Sequence, residues 1–223
     1  MDRLSPVERE GLLGLAPSSS RGAGEVLIHQ GDQDRTDVYL LRSLPGADVT
    51  ACVKVVVYLE SGAEVLLGIR VGGDVVGELA ALRRTPRSAM VTTCSPMLVH
   101  VIRAQVFVDF LDRHPAVWNA VARMVADRLE WANRRRIDFA QHSVPVRVAK
   151  VLLEIAERYG VERADGRRDL GVELTHAEIA SMIGAGKDAV FKAMRGLKDA
   201  GLIDSVKRRR IVLDQYGLSV YQA

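Results

Sequence analysis

Glu78 and Arg87 stand on either side of a short segment in the stretch GELAALRRTPRSA, residues 77–89. An ionised carboxylate only accepts hydrogen bonds and a guanidinium only donates them. The two could simply form a salt bridge. They could also serve a ligand. Arg87 with the neighbouring Ser88 hydroxyl suits a phosphodiester anion. Backbone N–H groups at the start of a short helix after Glu78 would add to that anion site. Gly77, Leu79 and Ala89 complete the frame. Glu78 suits a sugar hydroxyl that donates. A molecule offering one anionic phosphate and one free ribose hydroxyl is a cyclic nucleotide.

A second group of charges lies near the other end. From Ala185 to Leu213 there are eight basic residues against three acidic ones, in a chain whose net charge is only +3. Such a local excess suits DNA phosphates. Lys187, Asp188, Lys192 and Arg195 belong to a helical segment. Lysine can donate to guanine O6 and N7, and aspartate can accept from cytosine N4. Arg208, Arg209 and Arg210 lie in LIDSVKRRRIVL, which reads as two short strands around a basic turn. They would touch phosphate; a solvated basic hairpin is the plain alternative. Val190 points inward, and Phe191 either packs or meets a thymine methyl.

The elements that must hold these groups can be read from periodicity. Ser5, Pro6 and Glu8 predict a capped helix over 5–15. Between Glu25 and Ile102, short runs rich in Val, Leu and Ile alternate with turn signals such as Gly31-Asp32, Ser61-Gly62 and Gly72-Gly73-Asp74. That pattern predicts an antiparallel β-roll or barrel. A short helix over 104–112 ends at His114-Pro115, and a long one follows over 115–139. Its apolar positions Trp118, Val121, Val125, Leu129 and Ala132 form a seam that could meet a second copy of itself. The same seam could instead pack on its own roll. Residues 140–143 read as a hinge, and a further helix runs from Pro145 to a stop at Gly160. ERADGRRD, residues 162–169, reads as a loop.

Thr175 and Glu178 make a capping box for a helix over 176–183. Gly184 supplies the positive φ of a tight turn, and a second helix spans 187–199. Ile179, Ile183, Val190 and Met194 fill the angle between the two, with small Ala180 and Ala185 at the approach. This is the pattern of a helix-turn-helix, with the hairpin as its wing.

Length and composition allow one large or two small globular domains: 223 residues, 48% hydrophobic and 26% charged; the long helix between the roll and the helical set points to two. No apolar run is long enough for a membrane span, and MDRLSPVERE has no apolar signal-peptide core. Cys52 and Cys94 read as buried free thiols of a reducing compartment. No Cys/His spacing suggests a metal, and no nucleophile–base pair suggests an enzyme.

With GELAALRRTPRSAMVTT, the long helix ending RLEWANRRR, and EIASMIGAGKDAVFKAM in place, the chain resembles the catabolite-activator (CRP/FNR) family of bacterial transcription regulators over nearly its whole length. The resemblance implies an α+β fold: a cyclic-nucleotide-binding-like β-roll over 1–114, a dimerisation helix and hinge over 115–141, and a winged helix-turn-helix over 142–223. It implies cyclic AMP as effector, with cyclic GMP or no effector as alternatives. It places Glu78 on the ribose, Arg87 and Ser88 on the cyclic phosphate, and Ala132 and Asn133 near the base. Lys187, Asp188 and Lys192 match the base-reading positions. The implied partners are a second copy of the chain, a palindromic DNA operator and RNA polymerase, in the cytoplasm. Two departures stand out. Gly68, Ala132 and Asn133 occupy positions where the family's cyclic-AMP binders carry hydroxyls. Lys, Asp and Lys replace the family's Arg, Glu and Arg reading set, which implies a related but different operator.

Overall fold

The computed structural model describes residues 4–46, 51–206 and 210–221. The chain forms two compact units, Met1–Glu130 and Trp131–Ala223. The first begins with helix α1 (Pro6–Leu13), whose Ser5 cap and Glu8 form the expected reciprocal box. Eight strands follow: β1 (Ser18–Arg21), β2 (Val26–Ile28), β3 (Val38–Arg42), β4 (Cys52–Tyr58), β5 (Glu64–Val71), β6 (Val75–Val76), β7 (Met90–Thr93) and β8 (Met97–Ile102). Helix α2 (Glu78–Arg83) sits between β6 and β7. Helix α3 (Ala104–Arg113) and the long α4 (Pro115–Gln141) follow β8.

The strands make two antiparallel sheets, ordered β1-β8-β3-β6 and β2-β7-β4-β5. Strand β3 shows why its sequence VYLL is continuously apolar. Its side chains alternate, and both faces are covered. Tyr39 and Leu41 join the core with Val53, Val91 and Val99. Val38 and Leu40 face the helices instead, against Phe107, Leu111, Val117 and Val121.

That second core corrects part of the predicted seam. Val121 is buried in its own unit, as the packing alternative required. Trp118 and Leu129 remain 42% and 62% exposed. The reason is geometric: Val117 and Val121 lie four residues apart on one face of α4, and Trp118 and Leu129 turn away from it. Both cysteines are free; Cys52 is buried, but Cys94 only partly.

The second unit holds the end of α4 and helix α5 (Val144–Tyr159), capped by Gly160. ERADGRRD is not a loop: β9 (Val161–Glu162) and β10 (Arg168–Asp169) pair within it. Helices α6 (His176–Ile183) and α7 (Lys187–Asp199) follow, then β11 (Ile203–Val206), β12 (Arg210–Leu213) and α8 (Gln215–Ser219). β10 also pairs with β12, so the wing belongs to a four-stranded sheet ordered β11-β12-β10-β9. α5 is the spine of this unit: it packs on α6, α7 and α8, and its Val148, Leu152 and Ile155 are buried.

Candidate ligand cavity and nucleic-acid interface

In the first unit a cavity of about 280 Å³ opens beside α2. Gly77, Glu78, Leu79, Arg87, Ser88 and Ala89 all line it, so the fold gathers the whole predicted loop set at one place. Its apolar wall includes Ile28, Val55 and Leu67, and its α4 side is Val125, Arg128 and Leu129. Ala132 and Asn133 belong to the second unit and are exposed there.

Glu78 and Arg87 do not pair with each other. The Arg87 guanidinium is buried, and all three of its nitrogens donate to backbone carbonyls. Nε meets Arg35 at 2.6 Å, Nη2 meets Asp37 at 2.6 Å, and Nη1 meets Gly77 at 3.0 Å. Its Cζ also lies 6.0 Å from the Tyr39 ring centroid. Burial lowers its pKa, while Tyr39, Asp37, Asp32 and Glu78 act to hold it up. An arginine keeps its charge under such opposing effects.

Gly77 makes this arrangement possible. Its φ is +83°, and a Cβ there would stand 2.5 Å from Arg87 Nη1 and 2.9 Å from the Asp37 oxygen. Only glycine satisfies both the left-handed backbone and the close approach.

Glu78 is paired instead with Arg128 of α4, a residue that the sequence alone does not single out. Arg128 Nη1 donates to Glu78 Oε1 at 2.5 Å, and Arg128 Nη2 donates to the Val75 carbonyl at 2.8 Å. The Glu78 and Arg128 side chains are 5% and 18% exposed. No local pattern marks Arg128; only the fold brings α4 to α2. The cavity therefore offers an acceptor carboxylate, a serine hydroxyl and fixed cations within apolar walls. That combination suits a phosphorylated sugar with a flat base.

In the second unit, α6 and α7 have their predicted bounds. Thr175 Oγ1 accepts from Glu178 N–H at 3.1 Å, and Glu178 Oε2 accepts from Thr175 N–H at 2.8 Å. Gly184 turns the chain at φ +62°. Ile179, Ala180, Ile183, Val190 and Met194 are all buried, and the two helices pack on each other. Arg147 Nη1 donates to the Ile183 carbonyl at 2.7 Å, closing the end of α6. Lys187, Asp188, Lys192 and Arg195 are all exposed on α7. Phe191 is 54% exposed, its ring edge-on to His176. Arg210 begins β12, whereas Arg208 and Arg209 lie outside the described residues.

The end of α4 is anchored on this same unit. Arg135 Nη2 meets Glu154 Oε2 at 3.0 Å, and Asp138 pairs with Lys150. Phe139 lies against Gly184, 3.2 Å from where a Cβ would stand, with the Arg147 guanidinium 4.9 Å above its ring. A single helix thus bonds to the cavity glutamate through Arg128 and touches the helix-turn-helix through Phe139.

Comparison with known proteins agrees with this layout. Residues 20–114 match the cyclic nucleotide-binding domain, and residues 146–220 the Crp-like helix-turn-helix domain. The CRP-like cAMP-activated global transcriptional regulator of Mycobacterium tuberculosis is 31% identical over 142 residues, 64% of this chain and 63% of that protein, so less than two thirds of its length is spanned. The cAMP-activated global transcriptional regulator CRP of Pasteurella multocida is 27% identical, over 80% of this chain and 81% of that one. Among solved structures, the CRP family regulator TTHB099 of Thermus thermophilus superposes with a TM-score of 0.71 at 23% identity, covering 90% of this chain and 94% of its own. Among the described residues no helix is long and apolar enough to cross a membrane. With a cyclic nucleotide-binding roll, a long helix and a Crp-like helix-turn-helix in that order, the chain belongs to the CRP/FNR family of transcription regulators.

Proposed function

We propose that the chain is a cytoplasmic, homodimeric DNA-binding transcription regulator gated by a cyclic purine nucleotide in the roll. The carrying observation is the Glu78–Arg128 pair, which joins the cavity wall to the helix that also meets the helix-turn-helix. A ribose hydroxyl donating to Glu78 competes with Arg128 for the same carboxylate. A phosphate at Arg87 and Ser88 places the sugar there. Ligand binding then changes what Arg128 holds, and α4 carries the difference. A second copy packs along the exposed Trp118 and Leu129 face of α4. Two α7 helices then read a palindromic operator through Lys187, Asp188 and Lys192, with Arg195 and the wing arginines Arg208, Arg209 and Arg210 on phosphates. RNA polymerase is the further partner this reading implies. Cyclic AMP is the nucleotide this reading favours, since the Mycobacterium tuberculosis and Pasteurella multocida relatives are cAMP-activated regulators.

A second reading has one observation in its favour. Glu78 and Arg87 already have partners within the protein. The same residues can therefore be architecture in a regulator that binds DNA without a cyclic-nucleotide effector, or with a different small ligand.

Calorimetric titration with cyclic AMP and cyclic GMP, using Arg87→Ala as control, separates the two. Saturable binding lost in the control, with operator affinity that changes on adding the nucleotide, supports gating. Heat from neither nucleotide moves the chain to the second reading.

A further inference from the structure

Five polar side chains line the cavity: Arg70, Glu78, Arg87, Ser88 and Arg128. Four are engaged by the reading above, which this inference extends. Arg87 and Ser88 take the phosphate, and Glu78 with Arg128 takes the sugar. Arg70 stands on another wall, in β5. It reaches the cavity together with Leu67, although the two have opposite parity on the strand. A bulge accounts for this: Val55 pairs with Gly68 and Val56 with Leu66, leaving Leu67 as the extra residue.

Gly68 determines how Arg70 lies. A Cβ on Gly68 would stand 2.7 Å from Arg70 Nη1 and 3.6 Å from both Cζ and Nη2. The guanidinium therefore lies across the bare backbone of residue 68, with Nη1 donating to the Ile69 carbonyl at 2.6 Å. Any side chain at 68 would push it off. The absence of a hydroxyl at 68 is thus tied to the presence of an arginine in its space.

We propose that Arg70 reads the base of the bound nucleotide and that it selects guanine over adenine. A guanidinium offers donors only. Guanine presents two adjacent acceptors, O6 and N7, which arginine can meet together. Adenine presents N7 beside an amino donor, which faces arginine N–H with N–H. The remaining walls near Arg70, Val55 and Leu67, are apolar and accept a purine face without distinguishing its edges. The base preference of this chain is therefore opposite to what its cyclic-AMP-activated relatives suggest.

Competition binding on the full chain provides the test, with cyclic GMP and cyclic AMP as probes. Cyclic GMP is expected to bind about tenfold more tightly or better. Arg70→Gln offers both a donor and an acceptor, the pair that suits adenine N6 and N7, and should erase or reverse the preference while keeping cyclic AMP binding. Gly68→Ser, which displaces the guanidinium without removing it, should shrink the preference; it also serves if Arg70→Gln melts early. Equal affinities in the parent chain, a cyclic AMP preference, or a cyclic GMP preference that both variants leave intact would overturn the inference yet keep the cavity a nucleotide site. Binding of neither nucleotide by a natively folded parent chain overturns the reading beneath it as well.

Discussion

The cavity and the reading helix use charge in opposite ways. In the roll, Arg87, Glu78 and Arg128 are mostly withdrawn from water and held by groups far along the chain. On α7, Lys187, Asp188, Lys192 and Arg195 stand in water on a scaffold whose caps and turn are local. A buried charge must be matched within the fold, so its removal disturbs the fold. An exposed charge acts on a partner, so its removal disturbs only the partner. Stability and function are therefore entangled in the first unit and separable in the second.

The sharpest break of this comparison is Arg87→Ala. It takes the guanidinium donor from the carbonyls of Arg35, Asp37 and Gly77, the last of which keeps the Ala81 N–H at 3.3 Å. Urea denaturation should show a loss of about 3 kcal/mol or more, together with loss of nucleotide binding. A loss of binding at parental stability would show that Arg87 is a pure ligand contact and would dissolve the contrast.

Next comes the Glu78–Arg128 pair. Arg128→Leu alone strands a nearly buried carboxylate and should cost about 2–3 kcal/mol after allowance for the partial exposure of Arg128. Adding Glu78→Leu should recover at least about 1 kcal/mol of it, so the double-mutant cycle is non-additive. Additive costs would mean that the pair carries no coupling.

A smaller effect belongs to the second unit's scaffold. Thr175→Ala removes one half of the capping box and should lower stability by about 1 kcal/mol. Amide exchange should speed first in α6, whose initial turn it closes.

The smallest effect on stability, and the clearest on DNA, is Lys192→Ala. Melting should shift by no more than about 0.5 kcal/mol. If Lys192 reads a base, operator affinity should drop by about 1–3 kcal/mol at one base pair. A uniform loss across sequences, with a salt slope reduced by about 1, would reassign it to phosphate.

The same contrast explains what the sequence disclosed. The α6–turn–α7 unit is legible to its bounds because capping box, glycine and apolar spacing all lie within 25 residues, 175–199. Its neighbour ERADGRRD hides most of a hairpin because the strands have only two residues each, and β10 gains its order from pairing with β12. Strand β1, SSSR, escaped for a similar reason: it has no apolar run, and β8 supplies its partners. At the cavity, residue types betrayed Gly77, Glu78, Arg87 and Ser88. Their partners stayed hidden, because Arg128 meets Glu78 across 50 residues and Arg87 meets Arg35 across 52. Val121 stays ambiguous in the sequence, because a heptad-like spacing looks the same whether the neighbour is a second helix or the chain's own core.

The grip of three carbonyls on Arg87 also bears on timing. A side chain that surrendered its rotamers during folding has few left to surrender when an anion arrives. Nucleotides that differ only in their base should therefore enter at nearly the same rate. What distinguishes them is how long each one stays, and residence time rather than capture becomes the quantity this cavity measures.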